Sequence, residues 1–144
     1  MIKYFFAAAL LVAANHASAD GEVLLLSVSG TAYCNGSLPI KFTPKNGPAQ
    51  WIRINNVNSA TLALDPNMNT PIAQLSMQLT PINNKSMAFV AAETIDDNNY
   101  LSVVGSFKFD SFGYVKSLSA SVHRAGLWGP GCFTLAKAKG TRIN

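Results

Sequence analysis

The chain has 144 residues, of which 49% are hydrophobic and 12% are charged, and its formal net charge is +4. This combination excludes intrinsic disorder, which requires low hydrophobicity and high net charge. The only basic cluster is Lys137, Lys139 and Arg142, and a nucleic-acid-binding protein usually has a stronger, focused patch. We therefore expect no nucleic-acid partner, and we interpret the cluster as a solvated last strand whose lysines protect a sheet edge.

The amino terminus has the three parts of a secretory signal peptide. Lys3 precedes an uncharged apolar run at residues 4–14, and Ala17, Ser18 and Ala19 form a small-residue cleavage site. The apolar run is too short to span a bilayer, which needs about 20 residues, and no later segment is longer. The sequence predicts a signal peptide at residues 1–19, a single domain at residues 20–144, no membrane span, and export to the bacterial periplasm or the medium.

Two cysteines, Cys34 and Cys132, lie in the predicted exported domain. An even pair in an oxidising compartment indicates a disulfide. A redox pair usually has C-x-x-C spacing and a zinc site needs four ligands, so neither is expected here. Cys34 ends the first predicted strand and Cys132 begins the last. If these strands lie side by side, the bond fits an antiparallel pairing with Cys34 opposite Cys132. A closed barrel requires its first and last strands to be neighbours, although a sandwich can also bring them together.

Alternation of apolar and polar residues, interrupted by short turns, dominates residues 20–144 and predicts β-strands. Within residues 23–34, for example, Leu24, Leu26 and Val28 share one face, and Gly30 indicates a bend or bulge. Residues 86–93 are apolar on both faces and are expected to be more deeply buried. The predicted strands, in chain order, are residues 23–34, 38–43, 51–55, 60–64, 72–80, 86–93, 101–110, 114–124 and 132–139.

These elements predict an all-β fold, a single small antiparallel barrel or sandwich of about eight strands. Short connections favour a meander over a Greek key, which needs a long return loop. An antiparallel pairing of the first and last strands in a meander requires an even number of strands. Pro39 weakens the prediction of a strand at residues 38–43, so we expect this segment to lie outside the even count.

No stretch of the sequence carries a recognisable catalytic, cofactor-binding or metal-binding motif. His123 alternates with a row of serines on one strand, but a catalytic triad needs a nucleophile, a base and an acid in one geometry, and no G-x-S-x-G elbow is present. Asp96 and Asp97 lie in an Asn-rich turn without EF-hand spacing, and turn chemistry accounts for them. We therefore expect neither enzymatic activity nor a cofactor.

Aromatic residues near turns are the best indication of function. Phe112, Tyr114, Trp128 and Trp51 are candidates to line a ligand site at a barrel mouth, although Trp128 is at least as well explained by packing on the disulfide. Phe107 and Phe109, which alternate on one strand, are expected in the core. The sequence thus predicts a binding protein for an apolar or aromatic small ligand. The alternative is a structural or interaction protein of the cell envelope or surface, with a protein partner.

Overall fold

The computed structural model describes residues 21–47, 49–96, 99–126 and 131–143, without the side chains of residues 94–96. The predicted signal peptide, residues 1–19, and Trp128 therefore lie outside the described residues. Within the described part the structure is entirely β, with no helix. The nine strands are β1 (Val23–Cys34), β2 (Ile40–Phe42), β3 (Gln50–Asn56), β4 (Ser59–Ala63), β5 (Pro71–Asn83), β6 (Ser86–Asp96), β7 (Asn99–Phe109), β8 (Val115–Ala125) and β9 (Cys132–Arg142).

The sheet closes into a barrel because its first and last long strands pair. From β3 to β9 each strand pairs antiparallel with the next, and β9 returns to β1. The closing ladder runs from Leu24 opposite Arg142 to Cys34 opposite Cys132. These two cysteines form the predicted disulfide. The structure confirms the all-β fold and the antiparallel meander, and it decides for a barrel over a sandwich.

Strands β2 and β3 share one place in the barrel wall. Both pair antiparallel with the same edge of β1, β3 with residues Val23–Leu26 and β2 with residues Gly30–Ala32. Residues 43–47 follow β2 and belong to neither strand. The barrel therefore has eight strand positions, and the short segment that the sequence set outside the even count is the additional strand.

The core fills the barrel interior, and burial alternates along every long strand. On β9 each second residue from Cys132 to Gly140 is buried while the intervening residues are exposed. The predicted inward faces of β1, β5, β7 and β8 contribute to the core. Strand β6 differs from the expectation of burial on both faces, because Val90, although apolar, lies on the outer face and is 50% exposed.

Successive connections alternate between the two ends of the barrel. The disulfide end carries the Cys34–Cys132 bond, connections 35–39 and 64–70, the last residue of β6, the first residue of β7, and Gly126 and Gly131. The Glu22 end carries Glu22, connections 57–58, 84–85 and 110–114, and Ile143. The two ends thus present different sets of loops and different inward side chains.

Candidate ligand-binding site in the barrel interior

Register across the strands places a polar set of inward side chains just below the disulfide. Arg124 on β8 pairs with Thr134 on β9, and Leu101 on β7 lies between Arg124 and Glu93 of β6. Each of these positions belongs to the inward-facing alternation of its strand. We call Glu93, Arg124 and Thr134 the polar collar.

Below the polar collar, short side chains line the interior on β7, β8, β9 and β1. The inward positions in register there are Val103, Val122, Ala136 and Gly30, followed by Gly105, Ala120, Ala138 and Val28. Larger side chains continue both rows on the other side, where Met77 of β5 pairs with Ala91 of β6 and Leu79 of β5 pairs with Phe89 of β6. Val103 and Val122 point inward and pack against the core, yet both remain partly exposed. This part of the wall thus presents short apolar side chains to the interior, and some of their surface remains exposed.

Large side chains fill the interior towards the Glu22 end. Phe89 and Phe107 stack with ring centroids 4.3 Å apart, and both are almost completely buried with Leu24. Phe109 is buried in the same cluster, so the prediction that Phe107 and Phe109 are core residues is confirmed. The stacked phenylalanines form a floor beneath the short side chains.

Two polar atoms of the collar are buried without a hydrogen-bond partner among the described residues. Thr134 is only 4% exposed, and neither its Oγ1 nor the Nε of Arg124 is hydrogen-bonded. Leaving such a group buried and unpaired costs about 1–3 kcal/mol. The collar therefore carries unsatisfied donors that face the interior.

The Glu22 end is closed by polar side chains, of which most are paired. Buried Glu22 accepts a hydrogen bond from the Val115 backbone N–H at its Oε1 (3.2 Å), whereas its buried Oε2 has no partner among the described residues. Arg142 Nη1 donates to Asp110 Oδ2 at 2.8 Å and to the Val115 carbonyl at 3.4 Å. Arg142 thus forms an ion pair with Asp110. Lys137 and Lys139 are exposed as expected, but the prediction that they protect a sheet edge is wrong, because β9 pairs with β8 on one side and with β1 on the other.

The predicted ligand-site aromatics do not meet at one barrel mouth. Phe112 and Tyr114 lie in the β7–β8 turn at the Glu22 end, where Phe112 is 83% exposed. Trp51 is half-buried on the outer face of β3, opposite Leu25 and Ala63. Trp128, which belongs to the β8–β9 connection, is outside the described residues. A role for each of them in binding stays a prediction.

His123 lies on the outer face of β8 and is exposed, with Ser102 and Leu135 opposite it on the neighbouring strands. Among the described residues no group of three or more His, Cys, Asp or Glu side chains is arranged to hold a metal ion. The part of the chain that the structure describes also contains no helix long and apolar enough to cross a membrane.

Arg124 and Thr134 were missed as site residues by the sequence reasoning, although the signal for them was present. Leu118, Ala120 and Val122 alternate with serines in the sequence of β8, and continuing that alternation by one step places Arg124 on the same face. The same step from Cys132 reaches Thr134. Both residues lie near the ends of their strands, one step beyond the apolar residues that define the inward face.

Comparison with known proteins finds no matching family model, no matching curated protein and no matching solved structure. The functional argument therefore rests on the chain's own geometry.

Proposed function

We propose that this protein binds a small apolar ligand, aliphatic or aromatic, inside the half of the barrel that adjoins the disulfide. The observation that carries the proposal is the change in side-chain size along the barrel axis. On β7, β8 and β1, phenylalanine and leucine face the interior towards the Glu22 end, whereas glycine, alanine and valine face it just below the polar collar.

The geometry of small barrels supports this location. An eight-stranded barrel is just wide enough to be filled by side chains or to hold one small ligand. Because the inward side chains of β7, β8, β9 and β1 are short at this level, the proposed ligand would lie against them, across from Met77 of β5. Val103 and Val122 face inward but keep part of their surface uncovered, and an apolar ligand would gain free energy by covering it.

A matched pair of substitutions on β7 tests the proposal. Val103 faces the interior and Val104, 53% exposed, faces outward. We expect the neutral fluorescent probe N-phenyl-1-naphthylamine to bind the purified protein, and Val103→Phe to weaken binding by about tenfold or more because the added ring occupies the site. Val104→Phe should leave the titration unchanged.

Absence of saturable binding by the unaltered protein would contradict the proposal, as would equal effects of the two substitutions. Circular dichroism and thermal melting of both variants establish that each one folds.

The proposal places this binding in an exported protein of the bacterial periplasm or medium. The Cys34–Cys132 disulfide supports this setting, because such bonds persist in oxidising compartments. The predicted signal peptide at residues 1–19 supports it from the sequence side. Mass spectrometry of the protein recovered from its host should find a chain that begins at Asp20, and a chain that still carries Met1 would contradict export by cleavage.

The alternative function, interaction with an envelope protein, is favoured by one surface feature. Tyr33 and Phe133 stack on the outer face with ring centroids 5.1 Å apart, beside exposed Leu135. Exposed apolar clusters can mark interaction sites. Cross-linking in the host should then capture one dominant protein partner, and Phe133→Ser should abolish that cross-link. Phe133→Ser should leave probe binding unchanged. Loss of probe binding would contradict the separation of this outer surface from the interior site.

A further inference from the structure

We propose that Arg124 and Thr134 bind the anionic head of the ligand, a carboxylate, while its apolar body lies among the short side chains below. This inference rests on the proposed function and adds the chemical class of the ligand: an amphipathic carboxylic acid with an aliphatic or aromatic body.

The pairing of the two strands brings both donors to one place. Arg124 and Thr134 are directly opposite each other in the β8–β9 ladder, and side chains in such positions have Cβ atoms about 4.5–5.5 Å apart. A carboxylate has two oxygens with lone pairs for several donors. It can accept from the guanidinium and from the hydroxyl at the same time.

The unpaired state of these donors is what points to a ligand. Thr134 is 4% exposed, faces the interior, and its Oγ1 has no partner among the described residues. Arg124 is partly exposed as a whole, but its Nε is buried and likewise has no partner among the described residues. A valine would fill the place of Thr134 without this cost. A charged hydrogen bond to an anion would satisfy both atoms and is roughly twice as strong as a neutral one.

Glu93 is the other charged member of the polar collar. Leu101 on β7 lies between Glu93 on β6 and Arg124 on β8. Among the described residues, Arg142 and Asp110 form the only ion pair within 4.0 Å. Arg124 is therefore not held by Glu93 and remains available to an added carboxylate. Because Glu93 carries the same charge as that carboxylate, it should weaken ligand binding.

The experiment compares decanoate with 1-decanol as competitors for bound N-phenyl-1-naphthylamine at neutral pH and low salt. The two molecules have the same chain length and differ in the charged head. We expect decanoate to displace the probe at an about tenfold lower concentration, the factor that about 1.4 kcal/mol corresponds to. Arg124→Gln should abolish this difference while leaving the decanol titration unchanged.

Three further variants sharpen the assignment. Thr134→Val should reduce the preference for decanoate by about threefold because one neutral donor is lost. Glu93→Gln should increase decanoate affinity because a like charge is removed. Lys139→Gln, which removes a positive charge from the outer face of β9, is the control and should change nothing.

Equal displacement by decanoate and decanol, or a preference that survives Arg124→Gln, would overturn the inference while leaving the apolar site intact. Failure of the probe to bind the unaltered protein would overturn the proposed function and the inference together. Thermal melting of each variant verifies that it folds. Arg124→Lys, which keeps the charge but not the planar donors, provides a second test. It should retain only part of the decanoate preference.

Discussion

Two aspartates show how single side chains fix the turns of this barrel. Asp65 accepts backbone hydrogen bonds from Asn67, Asn69 and Thr70. These bonds, led by the one from Asn69, lower the pKa of its carboxyl. The carboxyl of Asp110 is partly desolvated, which raises its pKa, but hydrogen bonds from Arg142 and from two backbone N–H groups outweigh this and lower the pKa overall.

A lowered pKa in the folded state makes stability depend on pH in one direction. The contribution is complete above the unfolded pKa of about 3.9 and is lost as the pH falls through that value to the lower folded pKa. We expect Asp110→Asn to cost about 1 kcal/mol at neutral pH, where the ion pair with Arg142 is lost. Urea unfolding at neutral and acidic pH measures this.

The difference in the free energy of unfolding between Asp110→Asn and the unaltered protein should shrink below that pH range, because residue 110 is then uncharged in both. A difference that stayed constant from neutral to strongly acidic pH would contradict the role of the ionised carboxylate.

Thr134 provides a test in which a substitution should stabilise the fold. Its buried hydroxyl lacks a hydrogen-bond partner among the described residues, and valine has nearly the same shape. We expect Thr134→Val to raise the free energy of unfolding by about 1 kcal/mol, because the cost of an unpaired buried hydroxyl is removed. Thr141→Val, on the exposed face of the same strand, should be close to neutral. Destabilisation by Thr134→Val would mean that the hydroxyl has a partner in solution.

At the scale of the strand, glycines allow neighbouring strands to approach closely. A Cβ added at Gly105 would lie 2.7 Å from both Cα and Cβ of Ala120, and a Cβ added at Gly30 would lie 2.6 Å from Cα and 2.7 Å from Cβ of Ala136. The ladders cross both glycines without a register shift, so the bulge predicted as one possibility at Gly30 is absent. Glycine at such positions helps a twisted sheet curve into a closed barrel.

Gly105→Ala should therefore destabilise the protein by about 1–3 kcal/mol through overpacking against β8. The matched control is Gly47→Ala in the connection between β2 and β3, where the nearest atom would be 3.4 Å away. That substitution should change stability by less than about 0.5 kcal/mol. Denaturant unfolding of the two variants compares them directly, and equal effects would show that Gly105 is not required by the curvature.

Alternation predicted the strands well wherever the outer face is polar. On β8 the serines of one face separate clearly from the apolar residues of the other. On β6, Ala88, Val90 and Ala92 are apolar although they face outward, so the sequence alone could not distinguish a buried strand from one with an apolar outer surface.

The site was harder to predict than the strands because it depends on which end of the barrel each loop occupies. Phe112, Tyr114 and Trp51 were grouped as aromatics at a mouth, yet Phe112 and Tyr114 lie in a turn at the Glu22 end and Trp51 lies on the outer face of the wall. The polar collar depends on register between β6, β7, β8 and β9, which alternation within one strand does not determine.

For the whole molecule, closure depends on the pairing of β1 with β9, strands that are far apart in sequence. The disulfide joins residues separated by 98 positions at one end of this ladder. A cross-link over such a separation restricts the unfolded chain strongly, and loss of a native disulfide from a small secreted domain typically costs about 2–5 kcal/mol.

We expect the double variant Cys34→Ser/Cys132→Ser to unfold at lower urea concentration by an amount that corresponds to this range. Because β1 and β9 remain hydrogen-bonded along their length, a folded barrel should persist, with an unchanged far-ultraviolet circular dichroism spectrum. Unaltered urea stability would contradict a contribution of the bond to closure.

The central claim is that a ligand enters the barrel rather than resting on its outside, and the valines offer a direct test. Val28, Val103 and Val122 face the interior half below the polar collar, whereas Val90 and Val104 face outward. Methyl NMR spectra recorded with and without N-phenyl-1-naphthylamine should show intermolecular contacts from the first three valines only. Contacts confined to Val90 and Val104 would contradict the account.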